Sequence, residues 1–393
     1  MKRLIPLVAV SAALLLAGCG PKPPIRVGFI GGLSDRNSDN GQSGRNAVIL
    51  AVEQFNREGG VDGRMVELVE RDDAQDKATA ARAAQELVDA KVEAVIGPFT
   101  SGMAEVIVPI TGAAGIFEVS PTITSMAFHG KDDNLFRINR TTRDNARDYA
   151  RVMIGRGQKR LAIAFDTRNR NFTESWLKEF QAAAEAAGGR VAAAVPYESR
   201  PDADFAGVVA RMLEAGPDGL FFISGALDVA RLAQQARKQA PALPIGASEW
   251  AATEQLIELG GDVVQGLLIV QNYDRDDTSE RFRSFSDAYF KRFQRSPGYS
   301  SVSAYDAATV VLTALRQRRD GETLKQAALR SGPYAGLQQS IAFDANGDTE
   351  RKVFFTEIRD GRYVKIASAA QPIAQPAAAT TAVASRSSIS PSP

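Results

Sequence analysis

Cysteine and histidine are almost absent: the 393-residue chain has one of each, Cys19 and His129. No internal disulfide can form, a multi-histidine metal site is excluded, and a Cys–His nucleophile pair would have to use that single cysteine. Tryptophan is scarce, with two residues, and neither charge sign dominates: 47 Lys and Arg against 46 Asp and Glu give a net charge of +1. That balance offers no basic face for a nucleic acid. The G-x-S-x-G elbow and the G-x-x-x-x-G-K-[ST] phosphate loop are missing, and Gly28-Phe29-Ile30-Gly31-Gly32 leaves the dinucleotide fingerprint incomplete. These gaps argue against an enzyme and imply neither cofactor nor metal. His129 reads as a surface loop residue. Asp72-Asp73 reads as a turn, because adjacent side chains at a strand end point to opposite sides.

The sequence has one long apolar run, from Leu4 to Leu16, preceded by Lys2 and Arg3 and followed by Ala17-Gly18-Cys19. A basic start, an apolar stretch short for a bilayer, and small residues at its end predict an export signal over residues 1–19. Cys19 stands where bacterial lipoprotein signals place the thiol that receives lipid, so lipidation at Cys19 is expected. A free thiol beside an ordinary cleavage site is the alternative. Residues 20–24 form a Pro-rich tether, and 368–393, mostly Ala, Ser, Thr and Pro, have too few large apolar residues to order themselves.

Between these ends, short aliphatic runs alternate with segments of helical period. Strands are predicted at 26–30, 66–69, 94–97, 116–119, 161–165, 191–195, 220–223 and 244–246, and helices at 46–56, 77–90, 102–113, 143–154, 174–187, 204–215 and 227–239. Such alternation implies parallel sheets covered by helices on both faces. Leu220-Phe221-Phe222-Ile223 is apolar throughout, as a strand buried on both faces should be. After helices at 280–293 and 302–316, the runs 352–358 and 363–366 flank Asp360-Gly361, a hairpin signal. That finish argues against the eight clean repeats of a (β/α)8 barrel, and the length suits two units. The fold class is therefore α/β, with two doubly wound lobes.

Ligands of open α/β sheets bind beyond the carboxyl ends of strands, where helix N termini present unpaired N–H groups. Two such strand ends here carry hydroxyls: Pro98-Phe99-Thr100-Ser101-Gly102 and Ser120-Pro121-Thr122-Ile123-Thr124. They suit a carboxylate, since hydrogen bonds to a charged group contribute about 1.5–3 kcal/mol each. Taken alone, Ser101 also suits a plain helix cap and the threonines a turn. Glu249, in Gly246-Ala247-Ser248-Glu249-Trp250, follows a strand of the second half and could meet an ammonium, or stand as a solvated loop residue.

With these residues the chain resembles the type I periplasmic binding proteins, specifically their branched-chain amino-acid subfamily of ABC importer receptors. The landmarks are Val27-Gly28-Phe29, Ala51 to Val61 with Gly63, Asp72-Asp73, Val95-Ile96-Gly97-Pro98, Ser120-Pro121, Phe136-Arg137 and Ala304-Tyr305-Asp306-Ala307. The resemblance implies that Ser101, Thr122 and Thr124 hold a ligand's α-carboxylate and ammonium, and that Glu249 faces the ammonium. It places the side-chain pocket at Asn40, Phe172 and Ala226, where Asn40-Gly41, Asn171-Phe172 and Gly225-Ala226 stand in for the aromatic positions of relatives. It further implies three strands crossing between lobes near 137–145, 270–277 and 343–351. Lobe 1 then holds 25–140 and 275–346, and lobe 2 holds 141–274 and 347–367. The expected partners are a small polar ligand, an ABC permease and, through Cys19, the periplasmic side of a bacterial membrane; the expected state is a monomer. A lipoprotein of the same fold that senses a ligand or binds an envelope protein is the rival reading.

Overall fold

The computed structural model describes residues 23–36 and 38–366. The expected signal segment with Cys19, most of the tether and the tail at 368–393 lie outside the described residues.

The first sheet consists of β1 (Ile25–Gly31), β2 (Val66–Asp72), β3 (Ala94–Ile96), β4 (Phe117–Ser120) and β5 (Leu135–Arg137), all parallel, in the order β2-β1-β3-β4-β5. Helices α1 (Asp39–Arg57), α2 (Lys77–Asp89) and α3 (Ser101–Ala113) connect its first four strands. One face packs on α1 through Val48, Leu50 and Phe55; the other packs on α2 and α3 through Leu87, Met103 and Ile107. Strand-buried apolar residues on both faces are what crossover helices require.

The second sheet has the order β14-β13-β10-β9-β8-β6-β7. Its parallel part is β6 (Arg160–Asp166), β7 (Arg190–Tyr197), β8 (Gly219–Ile223), β9 (Ile245–Ala247) and β10 (Leu268–Gln271). Helices α4 (Thr142–Gly155) and α5 (Arg170–Ala186) cover one face around Trp176, which stacks on Phe180 and Phe221 with ring centroids 5.2 and 4.6 Å away. Helices α6 (Phe205–Leu213), α7 (Ala226–Gln239) and α8 (Glu254–Gly260) lie on the other side.

The chain then returns to the first sheet. Helices α9 (Glu280–Phe293), α10 (Tyr299–Gln317) and α11 (Leu324–Ser331) join α1 in one core, followed by the small hairpin β11 (Tyr334–Ala335) and β12 (Ser340–Ile341). Finally β13 (Phe354–Arg359) and β14 (Arg362–Lys365) pair antiparallel at the edge of the second sheet. We call the two bodies lobe 1 and lobe 2. Among the described residues no helix is long and apolar enough to cross a membrane.

Three connections link the lobes, and they are stitched together. Asn272 donates to Asn139 Oδ1 at 2.9 Å, and Arg137 Nε to Asp348 Oδ1 at 2.7 Å. Thr349 Oγ1 donates to the carbonyl of Ile138 at 2.9 Å. His129 is an exposed loop residue, as its sequence suggests, and its Nδ1 lies 2.7 Å from Asp348 Oδ2.

Several elements depart from the sequence expectation: β5, β10, α8 and the β11–β12 hairpin lie outside it, and the crossings expected as strands at 137–145, 270–277 and 343–351 are mostly irregular, with α4 already starting at Thr142 and only an isolated bridge between Phe343 and Thr349. Helix α1 starts at Asp39 rather than near Asn46, because its first turns are packed by glycines instead of apolar side chains. A Cβ on Gly41 would stand 2.0 Å from the carbonyl oxygen of Gly32, and one on Gly44 2.2 Å from the Phe99 ring. Helix α11 was not anticipated, although Thr323 and Gln326 form a capping box at its start.

Candidate ligand-binding site

The carboxyl ends of both parallel sheets open on one cleft between the lobes. On the lobe 1 wall, α3 follows β3 after a four-residue turn whose Gly97, at φ +136°, brings the backbone within 2.2 Å of Ile30 O measured from an added Cβ. Only glycine fits there. The turn ends at Thr100, the cap residue of α3, whose hydroxyl donates to Gln75 Oε1 at 3.0 Å instead of capping the helix. Ser101 is therefore the first helical residue and not the cap. It is 1% exposed and its Oγ has no hydrogen-bond partner. An unused hydroxyl at a helix N terminus is a ready hydrogen-bond donor for an anion. The next backbone group of the helix, Gly102 N–H, donates across the cleft to Asn169 Oδ1 at 2.8 Å. Thr122 is held beside the same turn by a 2.6 Å bond from its hydroxyl to the carbonyl of Phe99.

On the lobe 2 wall, Glu249 opens a short 3-10 turn directly after β9. It is 3% exposed; Oε1 accepts from Asn145 Nδ2 at 2.9 Å and Oε2 from Trp176 Nε1 at 3.1 Å. Burial pushes its carboxyl above the ordinary range, while its own backbone N–H, Asn145, Trp176 and the Arg140 guanidinium pull in the other direction. Arg140 is itself engaged by Asp148 at 2.8 Å and by Asn145 Oδ1 at 2.6 Å. Among the described residues no cation forms an ion pair with Glu249.

Asn40, Ser101, Thr122, Phe172 and Glu249 line one tight cavity of about 20 Å³. Thr124 lines an adjoining one of about 10 Å³, which shares Glu249 and Tyr299 with the first. Thr124 is 1% exposed and accepts a 2.9 Å bond from the Thr142 hydroxyl at the start of α4. Asn40 accepts from Ser300 Oγ and donates to the Trp250 carbonyl at 3.4 Å. Phe172 stands edge-on to Trp250, with centroids 5.9 Å apart at 82°, and forms an apolar wall. Ala226 lines neither cavity: it is 1% exposed in the α7 side of the lobe 2 core.

Several lining residues were not anticipated. Asn169 sits just past the carboxyl end of β6, so the strand-end rule applied to that strand would have found it. Trp250 adjoins Glu249 in sequence. Tyr299 and the Glu249 partners Asn145 and Trp176 carry no such signal: Asn145 and Trp176 read as ordinary helical positions, and Tyr299 lies before the expected helix at 302–316, whose first residue it is in the structure. Tyr299 accepts from Asn139 Nδ2 at 3.0 Å, and burial together with the nearby Glu249 carboxylate raises its hydroxyl well above the usual range.

A family model described as periplasmic binding protein matches residues 24–362. A Leu/Ile/Val-binding protein homologue from Brucella melitensis is 27% identical over 389 aligned positions, covering 92% of this chain and 96% of that protein. Among solved structures, a leucine-binding protein from Thermotoga maritima superposes with a TM-score of 0.80 at 24% identity, over 87% of this chain and 98% of the other. A branched-chain amino acid transporter substrate-binding protein from Streptococcus pneumoniae, in complex with isoleucine, gives 0.79 at 22% identity, over 87% and 100%. These likenesses reproduce both sheets and the helices around them. Because the family match runs from the first strand to the last hairpin, the chain belongs to the periplasmic binding protein family.

Proposed function

We propose that this chain is the extracytoplasmic solute-binding receptor of an ABC importer, and that it closes on a small zwitterion such as an amino acid. One observation carries the reading. A single crevice has a partnerless buried hydroxyl at a helix N terminus on one wall and a buried carboxylate without a cation on the other. Opposite charges on a ligand meet their complements there, in a site of low dielectric where each interaction is stronger than in water. Ser101, whose hydroxyl gives up no partner, takes the carboxylate at the start of α3, with Thr122, whose own proton goes to the Phe99 carbonyl, beside it. Glu249 and Thr124 take the ammonium. The Phe172–Trp250 pair and Asn40 face the ligand's side chain. The names of the Brucella and Streptococcus relatives, a Leu/Ile/Val-binding homologue and an isoleucine complex, support an aliphatic amino acid as the first candidate.

In this reading the receptor performs no covalent step and needs no cofactor or metal. Lipid on Cys19 holds it to the periplasmic side of a bacterial membrane, where it works as a monomer and presents its closed form to a permease. The lobes divide at the three connections, with 25–140 and 275–346 in one and 141–274 and 347–367 in the other, and these connections act as the hinge.

The test is a thermal-shift screen of the purified protein against amino acids, amides, urea and aromatic acids, followed by calorimetry on the hits. A ligand at a hundred times its Kd adds about 2.7 kcal/mol to stability and is seen as a raised midpoint. A flat screen across all four classes overturns the proposal.

A further inference from the structure

Two arginines cross the mouth of the cleft in opposite directions. Arg36, in the β1–α1 connection of lobe 1, places Nη2 3.6 Å from Oδ1 of Asp228 in the first turn of α7, in lobe 2. Arg168, in the β6–α5 connection of lobe 2, places Nη2 3.5 Å from Oδ2 of Asp35 in lobe 1, and 3.5 Å from the carbonyl oxygen of Gln75. The acids are deeply set, with side chains 0% exposed for Asp228 and 8% for Asp35; the arginines keep 21% and 29%. One partner of each pair is also braced from behind. Asp228 Oδ2 accepts from the Tyr197 hydroxyl at 3.3 Å, and neighbouring Asp166 fixes the Arg168 loop by accepting from Arg168 N at 3.0 Å. Neither arginine, nor Asp35 or Asp228, lines the ligand cavities.

Each arginine belongs to one lobe and its acid to the other, so both pairs exist only when the lobes are shut. The arrangement is reciprocal, with each lobe supplying one arginine and one acid. We infer that Arg36 and Arg168 form a closure clamp that sets the closed population, and with it ligand retention, from outside the ligand cavity. The inference rests on the reading of this chain as a receptor that opens and closes. A ligand binding the closed form then feels the clamp as a factor in its apparent affinity, expressed mainly in the dissociation rate.

Closure has a gauge that needs no ligand: the Gly102 amide, whose bond to Asn169 Oδ1 spans the cleft. Hydrogen exchange at Gly102 reports the open fraction, while amides of the central strands β3 and β6 report whether each lobe is intact. Partly exposed ion pairs are each worth a few-fold in an equilibrium, so the double variant Arg36→Ala with Arg168→Ala should speed Gly102 exchange by about tenfold and leave the strand amides unchanged. Asp35→Arg alone, which sets two cations face to face, should also speed it, and adding Arg168→Asp should restore protection. An unchanged Gly102 rate in the double variant, or a charge exchange that restores nothing, overturns the clamp. The two readings fail differently: a flat ligand screen with an arginine-dependent Gly102 rate removes the ligand reading, whereas a productive screen with an indifferent Gly102 removes the clamp.

Discussion

Replacing Glu249 by Gln should separate binding from folding, because the residue serves the two in opposite senses. The carboxylate is buried, accepts hydrogen bonds from Asn145 and Trp176, and has no cation in contact among the described residues. Removing one member of a desolvated, hydrogen-bonded charge pair costs about 2–5 kcal/mol. The zwitterion's Kd should therefore rise by about 30-fold or more. Stability of the unliganded protein should move the other way. Burial raises the Glu249 carboxyl above its unfolded value. Its stabilising contribution is then fully present below the unfolded pKa and fades as pH rises through the folded one. At pH 7 and above the charged form is a burden that Gln does not carry, while the Gln amide oxygen still accepts from Trp176 or Asn145. Calorimetry for Kd, and thermal melts without ligand from pH 5 to pH 8, read both quantities on one preparation. An unchanged Kd removes Glu249 from the site. A melting temperature several degrees lower at pH 8 would refute the view that its charge is uncompensated.

Two further predictions follow from the same reasoning. Ser101→Ala should weaken binding by about 10-fold to 100-fold, the worth of one hydrogen bond to a charged group, while leaving the unliganded melting temperature unchanged, since Ser101 Oγ gives up no existing partner; equal losses in both would place the hydroxyl in the fold instead. Glu118 on β4 is 1% exposed, with Oε1 unpartnered and Oε2 bonded to Thr111 Oγ1 at 2.6 Å, and burial pushes its carboxyl up to about 8. Its contribution to stability is complete below about 4.5 and declines as pH rises toward 8, at about 1.4 kcal/mol per pH unit; Asp73, raised to about 7, adds its own decline over a lower window. Glu118→Gln should flatten that slope and raise the melting temperature at pH 8, and a slope identical to the native protein's would contradict it.

The fold was legible where burial follows a simple period. Strands such as Leu220–Ile223 are apolar on both faces because helices cover both, and α5 and α7 repeat their apolar residues at helical spacing, so hydrophobicity alone located them. It failed where backbone approach, not side-chain burial, does the packing. The first turns of α1 hold Asn40, Gly41 and Gly44, which look like loop residues, yet Gly41 is helical because nothing larger fits against Gly32.

The site divides along the same line. Ser101, Thr122 and Glu249 stand out in the sequence because they lie at strand ends, where topology directs side chains toward a shared cleft, and the structure does bring them around one cavity. Their supports were not. Asn145 and Trp176 lie within helices, at positions that sequence assigns to packing, and both do pack; what directs them to Glu249 is the meeting of α4, α5 and the β9 turn, which no local pattern encodes. The cross-cleft pairs are further removed still. Arg36 and Asp228 are separated by most of two lobes, and their pairing depends on how far the lobes shut rather than on either lobe's fold. Cavity-lining residues at strand ends are thus the more readable part of this two-lobed fold, and cross-cleft pairs the less readable. If the clamp holds, a sequence comparison limited to the cavity lining would miss the changes in affinity that arise at Arg36, Arg168, Asp35 and Asp228.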